Sequence, residues 1–359
     1  MIFVRRTIEM TLETTRNIGL DILKCFCIPF IILLHTGVLK YSFSINLEPI
    51  SRFAVPCFFI ITGFFYNDIV KRGKEKKQIK KIIFLIIVFN ALIISLNVIY
   101  FKGNGVVNWI ISCFSKTKVI DFLVFNEDLI TGHFGSSHIW YLNALLYVLL
   151  IAFAFRKLKI FKLLYYFTPI FLICGFILEC FSKQLFGVNF SDGGKYYYYR
   201  NFITVGIPYF CIGNLLRSFK LYEQKFKNAV LLVLSLFLLM LSFVEFRIEK
   251  HFGLTTNGEF FILTPFYSTG IFLFFHNVFE RREPNKVGKI AALIGEKYVI
   301  WIYLFHLPVI VIIIDVLLFF GVLVPDRLLV SLLTLAVSLF VAVIIDYVLK
   351  LRKRNKRII

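Results

Sequence analysis

The sequence predicts an all-α membrane protein, a polytopic bundle of about ten transmembrane helices with both termini in the cytoplasm. Hydrophobic residues make up 59% of the 359 positions and charged residues only 17%. A soluble domain of this length cannot bury so much apolar surface. Apolar stretches of spanning length recur along the whole chain. The net charge of +20 is concentrated in alternate connecting loops, as expected for a multi-pass membrane protein.

Each predicted span approaches the length that a bilayer requires, roughly 20 mostly apolar residues. The second, fourth and sixth spans are short and need flanking residues to cross. A weaker apolar stretch at 106–114 is too short to span and fits a surface or re-entrant element. The predicted spans are 17–38, 53–68, 82–101, 139–155, 163–181, 201–216, 228–246, 260–279, 298–319 and 328–349.

The distribution of Lys and Arg predicts the orientation of the bundle. With the N-terminus inside, the predicted cytoplasmic segments hold 28 of the 41 Lys and Arg residues and the opposite loops hold 11. Because this alternation accounts for the positive charge, we do not expect a nucleic-acid partner. The chain divides into a cytoplasmic segment at 1–16, a transmembrane domain at 17–349 and a basic cytoplasmic tail at 350–359.

The first span carries the most informative polar residues. Asp21 and Lys24 are three residues apart and can pair as neighbours on a helix. His35 follows Lys24 by eleven residues, which is about three turns and nearly the same helix face. Ionisable groups inside a span are costly, so each is a candidate site residue. The simpler interpretations are an interfacial pair reaching towards water and a hydrogen-bonded histidine of the bundle.

Later spans add polar residues near their ends. The topology predicts that His35, His138 and Arg200 converge on the outer side of the bundle, and that Tyr303 and His306 lie in its inner half. Aromatic anchoring at the membrane interface is the simpler interpretation of the segment around His138. The candidate residues of the later spans are His138, Trp140, Arg200, Asn201, Tyr303 and His306.

These segments make the chain resemble the acyltransferase-3 family of integral membrane acyltransferases over nearly its whole length. Lys24 and His35 match the family's pattern of a basic residue, ten residues and a histidine, with Lys in the place more often held by Arg. Val55-Pro-Cys-Phe-Phe-Ile-Ile-Thr-Gly-Phe is similar to its Val-Pro-x-Phe-Phe-x-x-Ser-Gly-Phe. Similar later segments, in the expected order, are His138-Ile-Trp-Tyr-Leu, Arg200-Asn with Gly-Ile-Pro-Tyr-Phe-x-x-Gly, and Ile-Tyr-Leu-Phe-His306.

The resemblance implies transfer of an acetyl or other short acyl group from cytoplasmic acetyl-CoA to a hydroxyl of an extracytoplasmic or lipid-linked carbohydrate. This would be O-acetylation of a cell-envelope polysaccharide or glycolipid, in the bacterial inner membrane and without a metal. Some members carry a C-terminal hydrolase-like domain, whereas this sequence ends in a basic tail. We therefore expect the protein to transfer alone or with a separate extracytoplasmic transferase.

The expected mechanism follows from the chemistry of acyl transfer, which needs a base for the hydroxyl proton and a group that stabilises the oxyanion. His35 is the candidate base, with His138 assisting it or binding the acceptor. Alternatively, His35 takes the acyl group covalently. Asp21 and Lys24 would orient the first span or meet the donor. The residues expected to bind substrate or co-substrate are Arg200, Asn201, Trp140, Tyr303 and His306.

A membrane transporter for a small solute is the rival interpretation, because intramembrane charges and helices interrupted by Pro or Gly are also typical of carriers. A purely structural scaffold would leave the ordered polar segments unexplained. Dependence on acetyl-CoA separates these classes, since a carrier needs none.

Overall fold

The regular structure of the chain is helical throughout the part that can be described, which confirms the all-α prediction. The structure is a computed structural model that describes residues 17–42, 46–103, 105–190, 195–223, 227–255, 258–280, 283–323 and 325–355. Eight helical segments in these ranges are long and apolar enough to cross a membrane. The protein is therefore a polytopic membrane protein.

The helices follow one another through mostly short connections. The α-helices are α1 (Ile18–His35), α2 (Val38–Tyr41), α3 (Ala54–Lys71), α4 (Glu75–Phe101), α5 (Val106–Cys113), α6 (Lys116–Phe125), α7 (Trp140–Lys157), α8 (Leu163–Cys180), α9 (Ser182–Phe186), α10 (Ile207–Ser218), α11 (Asn228–His251), α12 (Thr264–Glu280), α13 (Lys286–Lys297), α14 (Val299–Phe319) and α15 (Arg327–Asn355). Short 3₁₀ turns cover Glu48–Ser51, Ser137–Ile139, Lys195–Tyr198 and Leu221–Glu223, and a π-helical turn covers Phe202–Gly206.

Two of the ten predicted spans form shorter helices than the others. The stretch 201–216 begins with the π-helical turn and continues as α10, which has only 12 residues. The stretch 260–279 becomes α12, with 17 residues. The count of ten spans and the orientation of the bundle therefore stay predictions. The stretch 106–114 forms the short helix α5. Helices α6 and α13 were not predicted, because neither contains a span-length apolar run.

Helices α3 and α10 pack backbone to backbone through two glycines. A methyl group at Gly63 would lie 1.9 Å from the carbonyl oxygen of Phe210, and one at Gly213 would lie 2.0 Å from that of Ile60. Such close approach is typical of small residues at helix interfaces in membranes. The side-chain amide of Asn214 adds a hydrogen bond of 3.1 Å to the Gly63 carbonyl oxygen. This contact fixes the relative position of the loops that precede the two helices.

Helix α1 is central to the bundle, because it contacts α3, α12, α13, α14 and α15. Its N-terminus is capped by Asn17, whose side chain accepts a 3.0 Å hydrogen bond from the Leu20 amide. The helix ends at His35, and Thr36 then bonds Ser331 of α15 through its hydroxyl at 2.7 Å. The last turn of α1 is thereby held at a defined position inside the bundle.

Candidate functional site

Three histidine rings meet in the structure, two of them buried in the bundle and the third, that of His35, exposed. The ring centroid of His306 lies 5.1 Å from that of His35 and 4.9 Å from that of His138. His138 and His306 are each 1% exposed. The topology assigned His306 to the inner half of the membrane and the other two histidines to the outer side, yet the three rings lie together; the membrane depth of His306 stays a prediction. Seven residues of α14 precede His306, and their rise of about 10 Å brings its ring to the level of His35.

The hydrogen bonds of two of these rings define where their protons lie. Nε2 of His138 donates to the carbonyl oxygen of Leu304 at 3.0 Å, and Nδ1 of His306 donates to that of Tyr303 at 2.6 Å. A carbonyl oxygen only accepts, so both nitrogens carry protons. The second nitrogen of each ring is buried and has no hydrogen-bond partner among the described residues. As neutral imidazoles, both rings therefore keep a lone pair that can accept a proton.

Pro308 explains why the Leu304 carbonyl oxygen is available to His138. Proline has no N–H, so within α14 the carbonyl group four residues earlier, that of Leu304, lacks its usual helical donor. The His138 ring supplies the replacement. One residue before Leu304, the hydroxyl of Tyr303 donates to the His138 carbonyl oxygen. Helix α14 thus holds both the ring and the backbone of His138.

A cavity of about 90 Å³, largely apolar but with three charged lining residues, opens beside His35, and we call it the outer cavity. Its charged lining residues are Arg52, Arg200 and Glu259. Arg200 donates to Glu259 Oε1 at 3.1 Å, and Arg52 Nη1 lies 3.9 Å from the same oxygen. One carboxylate is therefore shared by two guanidinium groups. The remaining lining residues are Ile31, Leu34, Ser51, Val55, Pro56, Trp140, Val205, Tyr209, Phe260 and Thr264.

The outer cavity brings together three predicted site residues, His35, Arg200 and Trp140. The guanidinium of Arg200 lies 5.1 Å from the Trp140 ring centroid and 4.1 Å from that of Tyr196, both within the range of a cation–π contact. Sequence reasoning missed Arg52 and Glu259. The position of Arg52 immediately before the second predicted span could have identified it as a site residue. No feature of the loop around Glu259 indicated a role for that residue.

Asn201, also a predicted binding residue, lines neither this cavity nor the inner one described next. Its side-chain oxygen accepts from the backbone amides of Ile203 at 2.9 Å and Thr204 at 3.3 Å. Its side-chain nitrogen donates to the carbonyl oxygens of Tyr197 and Tyr198, both at 3.0 Å. Asn201 thus caps the π-helical turn and fixes the backbone next to Arg200.

A second cavity of about 300 Å³, which we call the inner cavity, is lined by Tyr303, a neighbour of the histidine cluster. Its charged lining residues are Lys24, Lys81 and Glu296, and Tyr141 and Tyr303 also line it. The predicted pair forms, with Lys24 donating to Asp21 Oδ1 at 2.7 Å. The other lining residues are Phe58, Ile61, Thr62, Ile82, Leu85, Leu142, Leu145, Gly295, Val299 and Ile300.

The histidine cluster contacts the lining of both cavities, and the Tyr303 ring lies 5.6 Å from that of His138 and 6.0 Å from that of His306. His35 lines the outer cavity, and Tyr303, which bonds the His138 backbone, lines the inner one. The buried rings of His138 and His306, each with a free lone pair, can accept and pass on a proton. Across the part of the chain that the structure describes, no three His, Cys, Asp or Glu residues are grouped so that they could hold a metal ion.

Comparison with known proteins gives one match. A family model for an acyltransferase domain, that of acyltransferase-3, matches residues 17–347, a range that includes the histidine cluster and both cavities. The comparisons with curated proteins and with solved structures found no match. The family match covers nearly the whole chain, as the sequence resemblance predicted. This multi-pass membrane protein therefore belongs to the acyltransferase-3 family.

Proposed function

We propose that the protein moves an acetyl or other short acyl group from cytoplasmic acyl-CoA to a hydroxyl of an extracytoplasmic or lipid-linked carbohydrate of the cell envelope. The bacterial inner membrane is the proposed location. The contact of the histidine cluster with the lining of two cavities carries this proposal, because transfer across the bundle requires a donor and an acceptor to meet at one base.

The inner cavity suits the donor. Lys24 and Lys81 offer ammonium groups to the phosphates of CoA, since Lys is a common phosphate ligand. Beyond them the wall is mainly apolar and matches a pantetheine arm, with Tyr141 and Tyr303 also lining it. In the predicted topology Lys81 belongs to a cytoplasmic loop, where acyl-CoA is found. The thioester would then lie nearest the histidine cluster.

The outer cavity suits the acceptor. A hydroxyl beside His35 gives its proton to the imidazole while its oxygen attacks the thioester carbonyl carbon. The new C–O bond forms, the C–S bond breaks, and CoA leaves as a thiolate that takes up a proton. Arg52 and Arg200 would orient the acceptor or stabilise the oxyanion. The free Nε2 of His306, next to His35, can receive the proton from it. In the alternative sequence, His35 first carries the acyl group itself.

The test is release of free CoA thiol by the purified protein in liposomes supplied with acetyl-CoA and candidate glycans. We expect release by the wild type, loss in His35→Ala, and normal release in His251→Ala, an exposed histidine at the end of α11. Thiol release that persists in His35→Ala would support the acyltransferase activity but would show that His35 is not the general base. No release under any condition, with saturable binding of a small solute, would establish the transporter instead.

A further inference from the structure

Helix α13 connects the eighth and ninth predicted spans, on the side of the bundle that the predicted topology places in the cytoplasm. Its 12 residues cover about 18 Å and are too few to cross a bilayer. A methyl group at Gly295 would lie 1.7 Å from the carbonyl oxygen of Asp21, so the backbones of α13 and α1 are in direct contact. Gly295 and Glu296 also line the inner cavity. Helix α13 is therefore held against the bundle along one side.

The side of α13 that faces away from α1 carries an apolar stripe. Ala292 and Gly295 are the buried residues of this helix. By contrast, Val287 is 73% exposed, Ile290 is 59% exposed and Leu293 is 39% exposed. These three side chains follow one another at intervals of three residues, so they are neighbours along one helix face. Because α13 leads directly into the spanning helix α14, the stripe lies at the level where the chain enters the bilayer.

Three exposed lysines border the apolar stripe, and they are Lys286, Lys289 and Lys297. Each lies four residues from a member of the stripe and is therefore its neighbour on the helix surface. Lys289 forms an ion pair of 3.3 Å with Glu283, but pairs between exposed side chains contribute little. The helix itself contains one acidic residue, Glu296, so its charge is net positive. Positive charge beside exposed apolar surface is complementary to an anionic headgroup above its acyl chains.

We propose that these lysines bind the headgroup phosphates of anionic phospholipids in the cytoplasmic leaflet, while the apolar stripe lies among the acyl chains. Helices with one apolar side and a lysine-rich polar side lie in the plane of the membrane interface. A neutral leaflet would cover the apolar stripe alone, whereas an anionic leaflet also attracts each lysine. This inference does not depend on the proposed acyl transfer. The surface, which we call the α13 face, consists of Lys286, Val287, Lys289, Ile290, Leu293 and Lys297.

The experiment uses the fluorescence that Ile290→Trp adds to the full protein in vesicles, after subtraction of the wild-type signal. The vesicles contain phosphatidylglycerol and phosphatidylcholine in equal amounts, and only one of the two carries bromine, on its acyl chains near the headgroup. We expect brominated phosphatidylglycerol to quench the added fluorescence with an apparent affinity at least about fivefold above that of brominated phosphatidylcholine, the factor expected for one lysine near an anionic surface. Adding Lys286→Gln and Lys289→Gln should remove this preference and leave the quenching itself.

A matched control places the same fluorophore on another lipid-facing helix. Val233→Trp changes a valine of α11 that is 66% exposed, and both brominated lipids should quench it equally. The same preference at both positions would reflect a general enrichment of anionic lipid around the protein and would overturn the assignment to the α13 face.

Three further results would also overturn the lipid site. One is equal quenching of Ile290→Trp by the two lipids, or no quenching by either. Another is a preference that persists in the protein with both lysine substitutions. The third is loss of the preference on addition of acetyl-CoA, which would show that the lysines bind the phosphates of a soluble molecule instead.

Discussion

The imidazole rings of His35 and His306 lie 5.1 Å apart, centroid to centroid, although they belong to the first and ninth predicted spans. His306 donates from Nδ1 to the Tyr303 carbonyl oxygen, and its Nε2 has no hydrogen-bond partner among the described residues. A proton that leaves the acceptor hydroxyl at His35 therefore has a second base beside it. This relationship makes His306 as important to test as His35.

Replacing His306 by Phe should remove the second base while keeping a ring of similar size. We expect transfer to fall by about 10²- to 10⁴-fold, the usual contribution of a positioned acid–base group. His276→Phe is the matched control, because His276 is a buried histidine of α12 that packs among Phe64, Tyr222 and Phe272. Thiol release measures both variants, and size-exclusion chromatography reports folding. A wild-type rate in His306→Phe would contradict the role.

Pro308→Ala should disturb the site without weakening the fold. The new N–H at position 308 competes with His138 for the Leu304 carbonyl oxygen, so His138 loses the bond that sets its tautomer. We expect a lower kcat, an unchanged KM for acetyl-CoA, a shifted pH–rate profile and a melting temperature equal to or above that of the wild type. Pro29→Ala in α1 restores a helical bond away from the cluster and should leave kcat unchanged. Equal kcat values for the wild type, Pro308→Ala and Pro29→Ala would show that the tautomer of His138 does not affect the reaction rate.

Gly63→Val should separate α3 from α10. A side chain there meets the Phe210 carbonyl oxygen, a backbone atom that cannot move aside alone. Overpacking of this kind costs about 1–3 kcal/mol, so the melting temperature in detergent should fall clearly. Gly135→Val is the control, because no atom lies within 4 Å of a methyl group placed there. If Gly63→Val and Gly135→Val have the same melting temperature, the close contact between α3 and α10 is not a determinant of stability.

Glu127, in the loop before α7, should make stability depend on pH. Burial, with help from Asp128 and Asp121, raises the pKa of its carboxyl from 4.5 to about 7. The folded protein then holds this proton more tightly than the unfolded chain does. Its stabilising contribution is complete below about pH 4.5 and is lost as the pH rises to about 7.

Removing the charge at Glu127 tests this pH dependence. Glu127→Gln should melt at a higher temperature than the wild type at pH 8 and close to it at pH 5. Glu283→Gln, with a side chain that is 88% exposed, should match the wild type at both values. A Glu127→Gln difference that does not change with pH would mean that the carboxyl is not the titrating group.

Local and topological relationships could be predicted from the sequence. The pair of Asp21 and Lys24 follows from helical spacing, and the convergence of His35 and Arg200 on one side follows from alternating loop charge. Contacts between distant segments could not. Helical period says nothing about which span faces which, so the pairing of Arg200 with Glu259 had no sequence signal.

The contact of His306 with His35 and His138 could not be predicted for a related reason. Counting residues from a span end locates a side chain along its own helix, but it does not fix how far neighbouring helices are offset along the bundle. The prediction that Asn201 binds substrate drew on its place next to Arg200. It could not anticipate that four backbone hydrogen bonds would occupy the side chain.

The histidine cluster also has a consequence for the biogenesis of the protein. Its three rings come from α1, the turn before α7, and α14, so the last of them is synthesised only after most of the chain has left the ribosome. Until α14 inserts, His138 lacks both the acceptor for its ring and the hydroxyl that holds its backbone. An unfinished or truncated chain thus has no assembled histidine cluster and cannot carry out the proposed transfer before the bundle is complete.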